Sequence, residues 1–325
     1  MAESADSPKT ITGSVPLGRS RQTPAAPVGG NGSMAADPLA RPYRLPSNGV
    51  YYPEGHDGTV LISPTRGEQE EIIAGASDSP QGQLAVLRHV TSQCIDTKGL
   101  PFNDLLLNDW TAAMLHFLAM SAGTDVVGLR PVHPGTCGKA SNQSRPLTAM
   151  PCVTLRLAEP GEDPTWPPAA VDADLEALRE MDDEASEGVV HEHVMSAADL
   201  EEPFTVKLPT GQTIQWRHLR LSDLIRAEEF SARTGDTQTT PGSKMHTFIL
   251  ARHIVSIDGR QMSGLETVTW VRRQPTPVLN ALRADLARRE FGYDVTPRFR
   301  CPHCGGSFKV RLPLDGSLFR SGAHS

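Results

Sequence analysis

The sequence lacks several features that would assign it to a broad class of proteins. Its 325 residues contain no run of about 18 apolar residues, so we expect no transmembrane helix. The first residues, MAESADSPKTITGS, lack an apolar signal-peptide core, and we expect a cytosolic protein. The net charge of −7 and the pI near 5.9 argue against a generally basic nucleic-acid binder.

Motifs of common catalytic sites are also missing from the sequence. There is no Gly-x-x-x-x-Gly-Lys-Ser/Thr loop, no nucleophile elbow and no His-Glu-x-x-His helix. A hydrolytic zinc site would need an open coordination position and a nearby carboxylate base, and no such pattern is found. We therefore expect a protein that is not an enzyme.

Five cysteines in a reducing compartment favour a metal site or buried thiols over disulfides. In the segment FRCPHCGGSF, Cys301 and Cys304 are two residues apart and Gly305 follows them, which is the pattern of a zinc knuckle. Phe308, Val310 and Leu312 then alternate as in a strand, whereas a thioredoxin-like redox pair would precede a helix. The knuckle therefore predicts half of a structural zinc site, with a redox pair and a metal-free relic as alternatives.

The other half of the site is predicted from a partial repeat. The segment CGKASNQSRPLTAMPCVTLRL follows the same plan as CGGSFKVRLPL, with a Cys-Gly pair, a loop and a strand. Cys137 corresponds to Cys304, but Pro134 or His133 stands where the repeat needs a second cysteine. The fourth ligand is either Cys152 or His133, and Cys152 is preferred because thiolate-only structural sites are common. The predicted zinc ligands are Cys137, Cys152, Cys301 and Cys304.

Three other groups of chemically active residues receive structural interpretations. Cys94 lies on the apolar stripe of a predicted helix and is interpreted as a core thiol. His191 and His193 flank Glu192, but this acidic run lies in a predicted linker, so a metal role is not favoured. Asp104 and Asp109 precede or begin an apolar helix and are interpreted as caps or surface residues.

Composition and hydrophobic periodicity predict an α+β protein with a disordered N-terminus. A helical core and a mixed α/β block are expected to be joined through a zinc-ribbon-like element. A β-hairpin is predicted between Phe204 and Trp216. The predicted order is a disordered tail, a mainly helical core, a degenerate half-ribbon, an acidic Pro-rich linker, an α+β block, and a knuckle with a terminal strand, at 1–42, 43–130, 131–158, 159–200, 201–296 and 297–325.

Four segments follow one another along the chain: LPSNGVYY, LPFNDLLLNDWTAAMLHFLAMSAG, KLPTGQTIQWRHLRLSDL and the knuckle followed by VRLPL. In this order they resemble segments of the baseplate hub assembly proteins of contractile-tailed, T-even-type bacteriophages. The resemblance covers roughly residues 43–320, and the incomplete first knuckle departs from the pattern.

The resemblance implies a chaperone or hub subunit that binds other tail and hub proteins during virion morphogenesis. It implies a location in the host cytoplasm during assembly, with the virion tail as an alternative, and no membrane partner. A zinc-ribbon nucleic-acid binder is the alternative function, although the acidic pI speaks against it. That alternative rests on basic residues around the knuckle, namely Arg298, Arg300, Lys309 and Arg311.

Overall fold

The computed structural model contains both helices and strands, which confirms the expected mixture of α and β structure. None of the helices in the described part of the chain is long and apolar enough to cross a membrane. All the described residues belong to one compact unit, Ser33–Ser325. The structure describes residues 37–75, 80–122, 126–129, 133, 137–139, 143–146, 150–167, 190–234, 244–294 and 298–309.

Seven α-helices occur within these ranges. They are α1 Gly67–Ala74, α2 Pro80–Cys94, α3 Leu107–Ala122, α4 Leu221–Thr234, α5 Lys244–His253, α6 Gly264–Arg273 and α7 Thr276–Arg288. Sequence signals mark where some of them begin. Ser263 caps α6, because its hydroxyl accepts from the Glu266 N–H while the Glu266 carboxylate accepts from the Ser263 N–H.

The strands are short and form five small sheets in the described residues. Their bounds are β1 Arg41–Arg44, β2 Thr59–Ile62, β3 Ile95–Asp96, β4 Val126–Leu129, β5 Gln143–Pro146, β6 Cys152–Leu157, β7 Val190–Met195, β8 Phe204–Lys207, β9 Thr213–Trp216, β10 Ile254–Ile257, β11 Arg260–Gln261, β12 Gly292–Tyr293, β13 Arg298–Arg300 and β14 Ser307–Lys309. The sheet orders are β1-β2-β3, β11-β10-β9-β8, β12-β6-β7, β13-β14 and β4-β5. Only β6 and β7 pair in parallel among them.

The first core is built around α3, as its apolar sequence predicts. Leu107–Ala122 buries residues on almost every side, so this helix is surrounded by other parts of the protein. Two backbone bonds join its start to the start of α4: Leu107 N–H donates to Leu219 O, and Leu221 N–H donates to Leu105 O. The helix contributes its apolar residues to the core, including Trp110, Met114, Leu115, Phe117 and Leu118.

Asp109 is not the cap or surface residue that the sequence suggested. Its side chain has an exposed fraction of 0%, and it accepts hydrogen bonds from the Ser47 N–H at 2.9 Å and the Tyr52 hydroxyl at 2.7 Å. Burial raises the pKa of Asp109 to about 6, although these hydrogen bonds act to lower it. Ser47 lies at the start of a turn in which Asn48 and Gly49 have φ of 51° and 80°.

The second core lies between the sheet β11-β10-β9-β8 and helices α5 to α7. The predicted hairpin is confirmed as β8 and β9, and Phe204 pairs directly with Trp216. Trp216 is completely buried, and its indole N–H donates to the Asp285 carboxylate at 2.8 Å. Leu282 on α7 is fully buried against the same core.

Two of the predicted segments contain described structure at their edges. Within the tail predicted at 1–42, the structure describes residues from Asp37 onward, and β1 pairs with β2 from Arg41. The linker predicted at 159–200 contains Trp166, which is 3% exposed, and β7, which pairs with β6. In the sequence these apolar residues stand among many acidic and proline residues, so the average composition of the segment is that of a linker. The remaining parts of the predicted tail and linker, 1–36 and 168–189, lie outside the described residues.

Candidate metal centre

The knuckle connects the two strands of the β13-β14 hairpin. The N–H of Cys301 donates to the carbonyl of Gly306 at 2.9 Å, and the N–H of Gly305 donates to the carbonyl of Cys301 at 2.8 Å. These bonds close a tight turn in which Gly305 has a φ of 72°. A strand follows the knuckle, as the ribbon interpretation requires and the thioredoxin-like one does not.

The β13-β14 hairpin rests on the first core through its aromatic residues. Phe299 and Phe308 are directly paired across the hairpin, and both are buried in the first core. Cys301 is 1% exposed in the same cluster, whereas Cys304 is exposed. The hairpin therefore holds one knuckle thiol inside the protein and the other at its surface.

The second half of the centre comes from the connection between β4 and β5. These strands pair antiparallel, from Val126 with Pro146 to Leu129 with Gln143. Between them the N–H of His133 donates to the carbonyl of Lys139 at 3.0 Å. This bond brings together the two ends of the segment that carries His133 and Cys137.

The two halves meet in one group of four side chains. His133, Cys137, Cys301 and Cys304 each offer one ligand atom, and these atoms all lie within 4.8 Å of one another. Cys137 Sγ is 3.7 Å from Cys301 Sγ, and Cys304 Sγ is 3.2 Å from His133 Nδ1. Each short distance joins one half of the centre to the other. The group could bind a metal ion, and it is the one such group among the residues described.

Cys152 is not part of this group, which corrects the preference for it as the fourth ligand. It lies in β6, where it pairs with Val190 of β7 and Tyr293 of β12. Burial raises the pKa of its thiol to about 12, so the thiolate that a metal needs is disfavoured there. His133, the alternative that the sequence left open, takes the fourth place.

The thiols of the knuckle differ from the core thiols in their electrostatics. Burial acts to raise the pKa of Cys301, but the backbone N–H groups of His303 and Cys304 and the neighbouring thiols outweigh it and lower the pKa to about 6. The pKa of Cys304 is raised by burial and by the Cys301 and Cys137 thiols, although the Gly306 N–H lowers it. Of the two knuckle thiols, Cys301 is thus the one that ionises more readily.

Cys94 and the triplet His191–His193 lie outside the four-residue group. Cys94 is buried in the first core, and burial raises the pKa of its thiol to about 11, which confirms the core interpretation. In β7, Glu192 accepts from the Arg156 guanidinium at 2.8 Å. His191 and His193 belong to no metal-type group within the described ranges.

The spacing of His133 and Cys137 does not match that of a usual zinc knuckle. A usual knuckle places two ligands three positions apart, whereas these are four apart. The useful signal was the pair of turn residues between them, Pro134 and Gly135, which allow a chain reversal. Such a turn is common in loops without a metal, so it is a weak signal alone.

Three thiols and one imidazole make a ligand set typical of closed structural zinc sites. A catalytic zinc site, in contrast, keeps one position for water or substrate. Comparisons with protein-family models, with curated proteins and with solved structures give no match to this chain.

Proposed function

We propose that the chain binds one structural zinc ion through His133, Cys137, Cys301 and Cys304, and that it acts without catalysis in assembling the baseplate hub of a contractile-tailed phage. The observation that carries the zinc proposal is the convergence of these four side chains. The hub proposal rests on the resemblance of the ordered segments described above. The two parts are supported separately and can be tested separately.

The distances within the group are compatible with a zinc ion. With Zn–S bonds of about 2.3 Å and Zn–N bonds of about 2.0–2.1 Å, a tetrahedron places two sulfurs roughly 3.8 Å apart and a sulfur and a nitrogen roughly 3.6 Å apart. The Cys137 and Cys301 sulfurs are 3.7 Å apart, close to the first value. The 3.2 Å between Cys304 Sγ and His133 Nδ1 is slightly short of the second, and a small rotation of either side chain corrects it.

A zinc ion at this position would join distant parts of the chain. Cys137 and Cys301 are 164 positions apart, so the ion closes a very long loop. It would fasten the β4–β5 connection to the β13-β14 hairpin beside the first core. Because the unfolded chain holds no such preformed group, the free energy of zinc binding adds to the free energy of folding.

The segments that carry the resemblance make direct contacts with one another, which supports treating them as one structural unit. Tyr52, from LPSNGVYY, donates its hydroxyl to Asp109 and accepts from the Leu106 N–H at 3.0 Å. Arg220, from the KLPTGQTIQWRHLRLSDL segment, forms an isolated β-bridge with Leu106. Its guanidinium also donates to the Asp104 carbonyl at 3.0 Å. Three of the segments therefore meet at the start of α3.

The ligand set supports the non-enzymatic part of the proposal. Four protein ligands fill a tetrahedral zinc ion, so no position remains to activate water. The partners we propose are other tail and baseplate hub proteins, which the chain would bind as a chaperone or as a hub subunit.

Nucleic-acid binding is a second candidate, and the register of the β13-β14 hairpin favours it. Arg298 pairs with Lys309 and Arg300 pairs with Ser307, so these positions alternate with the buried Phe299–Phe308 pair. Binding of a labelled DNA duplex that weakens steeply with salt would support this candidate. Binding that is absent at low salt would eliminate it.

The hub proposal is tested by deleting the gene from its phage and examining the particles by electron microscopy. We expect tails without complete baseplates and a loss of infectivity. Complementation with the wild-type chain and with Cys94→Ala should restore normal particles, because Cys94 lies in the first core and outside the four-residue group. Complementation with Cys301→Ser should not.

Mass spectrometry of purified particles separates the two forms of the hub proposal. A hub subunit remains in the finished particle, whereas a chaperone is absent from it. Normal, infectious particles from the deletion phage would contradict the hub proposal in both forms and would leave the zinc proposal untouched.

A further inference from the structure

We propose that Gly306 makes room for His133 to serve as the fourth ligand, so that this glycine determines a three-cysteine, one-histidine coordination. The inference rests on the proposed zinc site and specifies its ligand set. It assigns a role to a glycine that lies outside the Cys-x-x-Cys pair.

The position of the His133 ring is fixed by its neighbours. Its Nδ1 lies 3.2 Å from Cys304 Sγ, so this nitrogen faces the group. The ring centroid lies 4.6 Å from that of Phe308, with an angle of 31° between the planes. Phe308 itself is buried, so it supports the imidazole from the side of the first core. The ring is thus placed by a fixed aromatic surface as well as by its own loop.

Gly306 lies close to both His133 and Cys304. A β-carbon at position 306 would lie 3.2 Å from Cε1 of His133 and 3.5 Å from Sγ of Cys304. Cε1 is bonded to Nδ1, so pressure on this carbon moves the ligand nitrogen directly. The first distance is shorter than an ordinary van der Waals contact, and the ring would have to shift by a few tenths of an ångström.

The neighbouring glycine provides a contrast within the same turn. Gly305 has a φ of 72°, and an added β-carbon would meet no atom within 4 Å. Its requirement for glycine therefore comes from the backbone. Gly306 is outside the left-handed region, so its backbone would accept another residue and only the space beside His133 opposes one. One glycine turns the chain and the other leaves room for the ligand.

The experiment compares Gly306→Ala with wild type and with Gly305→Asn, since asparagine tolerates a positive φ. Zinc affinity is measured by competition with a chelator under reducing conditions, and cobalt(II) spectra report the ligand set. Gly306→Ala should weaken zinc binding by about 10-fold or more, the size of effect seen when groups around metal ligands are changed. Gly305→Asn should bind within a few-fold of wild type.

Combining Gly306→Ala with His133→Ala and with His133→Cys tests whether contact with the His133 ring causes the loss of zinc affinity. In His133→Ala, adding Gly306→Ala should cause no further loss of affinity, because the ring it displaces is absent. In His133→Cys, the shorter side chain has no Cε1, so Gly306→Ala should again be tolerated and cobalt should show a four-thiolate spectrum. Circular dichroism confirms that each variant compared is folded.

Three results would overturn the inference. The first is a Gly306→Ala protein that binds zinc as tightly as wild type. The second is a loss of zinc affinity that is equal with and without His133, which would mean that the substitution acts through Cys304. His133→Ala could bind as tightly as wild type, which would remove His133 from the ligand set while leaving a zinc site in place. A wild-type chain that binds no zinc would instead overturn the zinc proposal itself, and this inference with it.

Discussion

The α3 region and the metal corner, defined as His133, Cys137 and the hairpin 298–309, are held together by different means. The α3 region, Leu107–Ala122 with its neighbours in the first core, is packed through large buried apolar side chains. The metal corner buries Phe299 and Phe308, but its remaining contacts converge on three thiols and an imidazole. Under the zinc proposal, the α3 region folds by burial of apolar surface, whereas the metal corner depends on burial together with ion binding.

The largest change in stability is expected for a substitution that removes a proposed zinc ligand. Cys301→Ser removes the buried ligand of the metal corner, and structural zinc contributes about 10–16 kcal/mol of apparent binding free energy in zinc-finger peptides. We expect zinc to be lost and the amides of 298–309 to exchange with solvent quickly, while the α3 amides stay protected. Hydrogen exchange measured by mass spectrometry checks this, with Cys94→Ala as the control. Equal loss of protection in both regions would remove the distinction between them.

Shortening a buried side chain of α3 should destabilise the fold without changing zinc binding. Phe117 is completely buried, and Phe117→Ala should lower the free energy of unfolding by about 3–5 kcal/mol through lost contacts and a cavity. The zinc content of the folded protein should not change, because the ligands are elsewhere. Urea unfolding and metal analysis of the same sample check both statements. A variant that stays folded but loses zinc would show that the ion depends on α3 packing.

Acid should weaken the packing around the second core through the buried His218 and the half-buried His253. Burial lowers the pKa of His218 to about 3 and that of His253 to about 4, from 6.5. Unfolded histidine binds a proton near pH 6.5 and these folded ones do not, so their contribution to stability is complete above that pH and is lost as pH falls toward about 4. Asp109 has the opposite effect: because its pKa is raised to about 6, its contribution to stability is present at low pH and is lost as pH rises through about 6.

The His218 contribution can be isolated with His218→Leu, which cannot take up a proton. Urea unfolding at pH 7, 6 and 5 should show a smaller acid-induced loss of stability in this variant than in wild type. The comparison cancels zinc release, which acid causes in both proteins. Parallel pH dependences of the two proteins would mean that His218 is not buried in its neutral form.

The smallest effect is expected for the cysteine that the sequence placed in the site. Cys152→Ala should cost only about 1 kcal/mol, typical of a single substitution without a special mechanism. Zinc content should equal that of wild type, because Cys152 lies in β6 and outside the four-residue group. Elemental analysis of this variant checks the correction. Loss of zinc in folded Cys152→Ala would restore Cys152 as a ligand.

Features that depend on neighbouring residues could be predicted from the sequence. The apolar spacing predicted α3, alternation and a Pro-Thr-Gly turn predicted the β8–β9 hairpin, and the Cys-x-x-Cys spacing predicted the knuckle. Each of these patterns involves residues close together in the chain, within about one helix, strand or turn, where periodicity and turn chemistry determine the local structure. The strand after the knuckle could be predicted for the same reason.

Features that depend on contacts between distant segments could not be predicted. Asp109 has the sequence position of a helix cap, and only its contacts to Ser47 and Tyr52, 62 and 57 positions away, explain its burial. The choice of His133 over Cys152 likewise depends on which loop reaches the knuckle. Cys152 was the chemically reasonable ligand, but β6 holds it in a sheet with β7 and β12.

The most direct test of the account is elemental analysis of the full chain, purified without added metal and without chelating resin. The account predicts about one zinc ion per chain, as a single four-ligand site requires. It also predicts that the ion is absent from Cys301→Ser and retained in Cys94→Ala. Folded wild-type protein that contains no zinc, and that takes up none when zinc is added under reducing conditions, would contradict it.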